Sequence, residues 1–258
     1  MKLGVVGKGG VGKTTTAALL ATAFARRGRR VVAVDTDSNP NLGMSLGLSL
    51  ADTEAIPVLP RSLIVGSAGE VTAGELIDDY GIRTPDGISL LSALRVAQAG
   101  AGCTCSGHAT VRSLLGEVLA EQADVTLVDM EAGLEHLSRS GGTLAYADVL
   151  LVVMEPSRKS VITAARTLTL ADELGIPRTC GLGNKARLPE DAEFFTELCA
   201  HYGVPLIGVL PHDAGVAGAD RAGTSPSAVL GEATGRELER VVTALDELVG
   251  ADAATAPA

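Results

Sequence analysis

The sequence predicts an α/β domain: a doubly wound, mostly parallel sheet with helices on both faces. Three observations predict it. Short apolar runs alternate with amphipathic stretches along the chain, the pattern of strands joined by crossover helices. The first apolar run passes through a glycine-rich turn directly into a helical stretch. The 258 residues are 46% hydrophobic with only three Phe, three Tyr and no Trp, so the core must be Val, Leu, Ile and Ala, which suits a sheet buried on both faces.

The elements follow in order. KLGVV at 2–6 is a first strand, and the segment after the glycine-rich turn is a helix ending at Gly28. RRVVAVD is a second strand ending in Asp35, with a short helix expected over 41–48. Residues 49–88, which contain Pro57, Pro60 and Pro85, read as irregular. A strand follows at 87–93, then an amphipathic helix over 109–122 and a strand ending at Asp129. Residues 148–155 are a strand, and the helix after it closes at Gly175. A strand running into a loop at 179–185, a helix from Glu190 to Gly203, the last strand with its following loop at 205–213 and a closing helix to Gly250 complete the domain. Residues 1–250 are expected to form one domain, with 251–258 a disordered tail of small residues.

In such sheets ligands sit beyond the carboxyl ends of the strands. Gly7, Asp35, Asp129, Glu155, Asn184 and Pro211 all fall at or just past such ends, and so mark one rim.

Charge narrows the partners. The net charge of -10 repels phosphate backbones and anionic lipid, so neither nucleic acid nor a membrane is an expected partner. No apolar run is long enough to span a bilayer and no secretory signal is evident, so the expected location is the cytoplasm.

Residues 7–14, GKGGVGKT, match G-x-x-x-x-G-K-[ST] in full between a strand and a helix. Gly9, Gly10 and Gly12 let the backbone turn so that its N–H groups, with those of Val11 and Thr15, face phosphate oxygens. Lys13 would reach the β- and γ-phosphates of ATP, and the Thr14 hydroxyl would ligate Mg²⁺.

KGGVGKTT at 8–15 resembles the signature of the deviant Walker A ATPases, a group that includes MinD, ParA and the nitrogenase iron protein. The resemblance implies a homodimer promoted by ATP, in which Lys8 crosses to the partner's nucleotide and steadies the transferring phosphoryl group. It implies ATP hydrolysis to ADP and phosphate, with Lys8, Lys13 and Asp37 as the catalytic set. It places Asp37 in the first switch, orienting the attacking water, although here Ser38 follows it and the proline is Pro40. Asp129, in DMEAG, would hold Mg²⁺ through a water, and Ala132 and Gly133 would let the second switch move. Asn184 in GNK would read the adenine edge, and Pro211, His212 and Asp213 would close over the base.

Cys103 and Cys105 lie in a glycine-rich loop. Thiolates bind soft or borderline metals, but a closed site normally takes four ligands. A second copy across a two-fold axis can supply the missing pair. The C-x-C, DMEAGLEHLSR at 129–139, EPSRKS at 155–160 and PHDAGVAGADRAGTSP at 211–226 resemble the CooC family, ATPases that help insert nickel into carbon monoxide dehydrogenase. The resemblance covers most of the chain, least clearly 49–88, and implies Ni²⁺ or Zn²⁺ held by four cysteines at a dimer interface, with a metalloenzyme as client. His108 reads as a helix-start residue, and Cys180 and Cys199 as core thiols. Glu131 and His136 either couple the nucleotide to the metal loop or sit at a plain interface. Two alternatives share the fold: a MinD- or ParA-type positioning ATPase, and an iron–sulfur ATPase like the nitrogenase iron protein.

Overall fold

A computed structural model describes residues 1–59, 73–93, 123–131, 144 and 146–253. Eight strands form a sheet in the order β3-β4-β2-β5-β1-β6-β7-β8. They are β1 (Lys2–Gly7), β2 (Val31–Asp35), β3 (Ile82–Arg83), β4 (Ser89–Ser92), β5 (Val125–Asp129), β6 (Val149–Met154), β7 (Thr179–Ala186) and β8 (Leu206–Pro211). All pairings are parallel except that of the two-residue edge strand β3 with β4. The sheet is therefore mostly parallel, as the sequence predicts.

The central strands are buried on both faces and their side chains alternate between two cores. Leu3 and Val5 of β1, with Val31 and Ala33 of β2, pack on one side. Val6, Val32 and Val34 pack on the other. This period of two is the pleat of the strand. The first face is covered by α1 (Lys13–Arg26), α2 (Leu42–Ser45) and α8 (Glu232–Ala253). The second is covered by α4 (Ala73–Tyr80), α5 (Arg158–Glu173) and α6 (Pro189–Tyr202). Helices on both faces follow from right-handed crossovers on either side of β1. Two further helices, α3 (Leu50–Ala55) and α7 (Ala214–Ala222), flank the carboxyl rim.

The structure corrects three sequence expectations. The stretch 49–88 holds α3, α4 and β3, which are short, with Pro57 and Pro60 between α3 and α4 and Pro85 after β3. Ser49 starts α3 by accepting from the Asp52 N–H at 3.0 Å. The segment after Pro211 is the helix α7, capped by Asp213. The closing helix runs to Ala253, past Gly250. The expected helix at 109–122 lies outside the described residues.

Cys180 and Cys199 are buried, and burial alone pushes their thiols up to about 12 and about 11. They are inert core residues at neutral pH. Among the described residues no helix is long and apolar enough to cross a membrane.

Candidate functional site

The glycine-rich loop leaves the end of β1 at the sheet's switch point, where chain connections turn to either side of β1. Gly12 is the N-cap of α1, in a left-handed conformation with φ 95° and without a side-chain cap. The first-turn N–H groups of this 14-residue helix thus lack a side-chain acceptor, and the first turn carries no acidic residue. That is an anion-binding helix end. Gly12 is required twice over: a Cβ there would lie 2.7 Å from Asn184 Nδ2, and its φ is one that L side chains avoid.

Lys13 is 8% exposed, with its ammonium 3.4 Å from the Lys8 carbonyl. Burial lowers its pKa, and the charges of Asp129, Asp37 and Glu131 oppose that shift. Lys8 itself is exposed, where a second molecule can reach it.

Asp35 and Asp129 end adjacent strands in register. Asp35 accepts from the Asp37 N–H at 3.0 Å and the Leu42 N–H at 2.9 Å, so it shapes the turn after β2 and anchors α2. Burial raises its pKa to about 6. Asp129 is more strongly perturbed: burial first, then the neighbouring Asp35 charge, raises its pKa to about 8, against a hydrogen bond from Thr14 and the charge of Lys13. Its Oδ1 is the one buried side-chain polar atom without a hydrogen-bond partner among the described residues.

An orphaned buried carboxylate oxygen needs a reason. Here it faces the site beside the Thr14 hydroxyl, within the field of Asp37. All-oxygen donors with spare lone pairs suit a hard cation that keeps several waters. The residues present, the Thr14 hydroxyl and the spare Asp129 oxygen, therefore fit Mg²⁺.

The segments that follow β2 and β5 are tied together. Thr36 donates to the Asp129 carbonyl through both its N–H, at 3.1 Å, and its hydroxyl, at 2.8 Å. Ser38, which stands directly after Asp37, donates to Glu131 at 2.9 Å.

A cavity of about 790 Å³ opens beside the loop. It is lined by Gly12, Thr14 and Thr15 at one end, and by Asn184, Pro211, His212 and Asp213 along its wall. Asn184 reaches the loop directly, donating to the Val11 carbonyl at 2.8 Å. Asp213 lines the cavity by its position, but its carboxylate is committed elsewhere: it accepts from the N–H groups of Gly215, Val216 and Gly231 and from the Thr234 hydroxyl. It therefore anchors the cavity wall. Burial would raise its pKa, but those bonds outweigh burial and hold it below the usual range.

Lys185, Ser38 and the α2 residues Met44 and Ser45 contribute to this region without having been singled out from the sequence. Lys185 directly follows Asn184, which was the available signal. Cys103, Cys105, His108, Ala132, Gly133 and His136 lie outside the described residues. Among the described residues no cluster of His, Cys, Asp and Glu is arranged to hold a metal ion.

Comparison with known proteins agrees with this geometry. The family model described as the CobQ/CobB/MinD/ParA nucleotide binding domain matches residues 5–226. The carbon monoxide dehydrogenase accessory protein CooC of Rhodospirillum rubrum is 38% identical over 239 residues, 87% of this chain and 89% of its own. A ParA family ATPase from Chlorobium tepidum superposes with a TM-score of 0.74 at 21% identity, covering 94% of this chain and 98% of that one. The septum site-determining protein MinD of Pyrococcus horikoshii, solved with Mg-ADP, superposes with a TM-score of 0.70 at 22% identity and 97% coverage of both chains.

Proposed function

The chain belongs to the CobQ/CobB/MinD/ParA nucleotide-binding family, and on that premise we propose that it is an ATP-hydrolysing metallochaperone. It binds Ni²⁺ or Zn²⁺ as cargo between two subunits and assists nickel insertion into carbon monoxide dehydrogenase. The observation that carries this reading is the coexistence of two features in one CooC-like chain. One is a phosphate loop with a second lysine, Lys8; the other is the thiol pair Cys103 and Cys105. The first calls for a nucleotide-promoted dimer, and the second needs a dimer to complete a four-thiolate site.

The chemistry assigned to the chain's residues is as follows. ATP phosphates sit on the N–H groups of Gly9 to Thr15 and on Lys13. Thr14, Asp129 and Asp37 would hold Mg²⁺, which would neutralise charge on the β- and γ-phosphates. Asp37 orients a water in line with the γ-phosphorus. A new O–P bond forms as the bond to the β–γ bridging oxygen breaks, and ADP and phosphate leave. Lys8 of each subunit stabilises the charge developing on the partner's nucleotide. Asn184 faces the base, and Pro211 and His212 form the wall beside it.

Closure brings the two C-x-C loops together, so that metal and ATP each favour the closed dimer. Loss of the γ-phosphate releases the switch contacts and weakens the metal site. The tie between Ser38 and Glu131 supports this reading, because it joins the two switch segments.

The test is a Ni²⁺ and Zn²⁺ titration with and without a non-hydrolysable ATP analogue, read alongside molecular mass. Tight binding of one ion per dimer, only with the analogue present, is expected. Cys103→Ala should abolish it while leaving nucleotide affinity intact. A nucleotide-loaded protein that stays monomeric, or unchanged metal affinity in that variant, rejects the reading.

A further inference from the structure

Among the described residues, Lys185 is the one non-glycine residue with positive φ, at 63°. It sits near the end of β7, where the register with β8 shifts between Gly183 and Ala186. Backbone conformations that L side chains avoid persist only where the surroundings impose them, and they concentrate at functional sites. Here the unusual turn is fixed by the preceding residue: the Lys185 N–H donates to Asn184 Oδ1 at 2.9 Å. The side chain crosses to the phosphate loop, where its ammonium donates to the Gly10 carbonyl at 2.6 Å.

Asn184 and Lys185 therefore hold two consecutive carbonyls of the loop, those of Val11 and Gly10. A phosphate loop works by facing its N–H groups toward the anion. Its carbonyls must then face away, and each still needs a donor. Packing does not provide the restraint at Gly10, because a Cβ built there would meet nothing within 4 Å. The loop's own backbone bond, from Val11 N–H to the Lys8 carbonyl, is long at 3.4 Å. The charged contact from Lys185 is shorter and stronger in kind. Lys185 also lies over the loop's far end, its Cε 3.6 Å from where a Gly12 Cβ would stand.

We propose that Lys185 is a positioning residue for nucleotide binding, its ammonium holding the Gly10 carbonyl so that the loop's N–H groups are preset toward the phosphates. The inference rests on the phosphate-loop reading of the site. Such preorganisation lowers the cost of binding ADP and ATP alike. Because ground state and transition state share it, its loss raises KM and leaves kcat nearly unchanged.

Three variants of the full chain test it, by displacement of a fluorescent nucleotide and by steady-state ATPase kinetics. Lys185→Met keeps the stem and removes the charge. Lys185→Gly also relieves the positive φ. Lys185→Arg keeps a cation. The Met and Gly variants should bind Mg-ADP and Mg-ATP about tenfold more weakly. Their kcat should stay within about twofold of the unmodified protein, and the Arg variant should recover most of the affinity. Nucleotide-free Lys185→Gly should melt no lower than the unmodified protein. If Met or Gly variants bind as tightly as the unmodified chain, or lose kcat instead of affinity, the positioning role is wrong while the phosphate-loop reading stands. An unmodified chain that binds neither nucleotide overturns both.

Discussion

Asp35 and Asp129 stand side by side in register at the ends of β2 and β5, 2% and 1% exposed, yet they do different work. Asp35 spends both oxygens on backbone N–H groups, those of Asp37 and Leu42. Asp129 keeps one oxygen without any partner. Two like charges so close and so deeply buried cannot both ionise cheaply. The anchoring carboxylate takes the lower pKa, about 6, and the spare one the higher, about 8.

That relationship gives a pH dependence with a definite sign. Burial, with help from Asp35, raises Asp129 to about 8, against Thr14 and Lys13. In the unfolded chain an aspartate titrates at about 4. Between those values the folded state holds a proton that the unfolded state has released. The nucleotide-free protein therefore loses stability as pH rises from about 4 to about 8. Asp129→Asn should flatten that fall and melt higher than the unmodified protein at about pH 8. It should also lose the Mg²⁺ dependence of nucleotide binding. Melting curves recorded across the window check this, and parallel pH profiles for the two proteins would sink it.

Gly12 cannot accept a side chain. Gly12→Ala forces a Cβ to within 2.7 Å of Asn184 Nδ2 at a φ of 95°. Breaking the Asn184 bond to Val11 and straining the helix start should cost about 1–3 kcal/mol of stability. Nucleotide binding should fall well below that of the unmodified chain. Urea unfolding and nucleotide titration measure the two effects, and a variant that binds normally would contradict the geometry.

Asp213 should matter for the wall more than for the base. Asp213→Ala removes an acceptor shared by four donors across α7 and the start of α8. A loss of about 2 kcal/mol at neutral pH is expected. Its pKa is held below the usual value, so this contribution is present above about pH 4 and fades as pH falls through the folded value. The stability gap between variant and unmodified protein should therefore narrow in acid. A gap that stays constant would mean the carboxylate's charge is not what holds the wall.

Lys8 is exposed and its side chain makes no bond within the loop's fold, whereas its carbonyl accepts from Val11 and Lys13. Lys8→Ala keeps that carbonyl. It should retain nucleotide binding in each subunit while losing most ATPase activity, by about two orders of magnitude or more if the side chain stabilises the partner's transferring phosphoryl. Mixing Lys8→Ala with a hydrolysis-deficient Asp37→Ala chain should restore some activity through hybrid dimers. Failure of the mixture would place Lys8 in its own subunit's site.

Much of the site was legible in the sequence because the phosphate loop is a local object. GKGGVGKT fixes the turn, the helix start and the lysine within eight residues, and an apolar run ending in aspartate marks Asp35 and Asp129 as strand ends. What the sequence left dark has physical reasons. The short elements of 49–88 are too brief to show a period, and their prolines read as loop. The capping role of Asp213 is invisible locally, because its carboxylate takes donors at Gly231 and Thr234, far along the chain.

By itself the sequence determined the strand–loop–helix at the phosphate loop and the alternation that makes a parallel sheet. The tertiary structure alone decided which groups meet: Asn184 and Lys185 on the loop, 173 and 175 residues from their acceptors, and Ser38 on Glu131, 93 residues away. The reason is that these contacts depend on the order of strands in the sheet. Hydrophobic periodicity reports only whether a segment is buried and on which face, and is blind to which strand lies beside it.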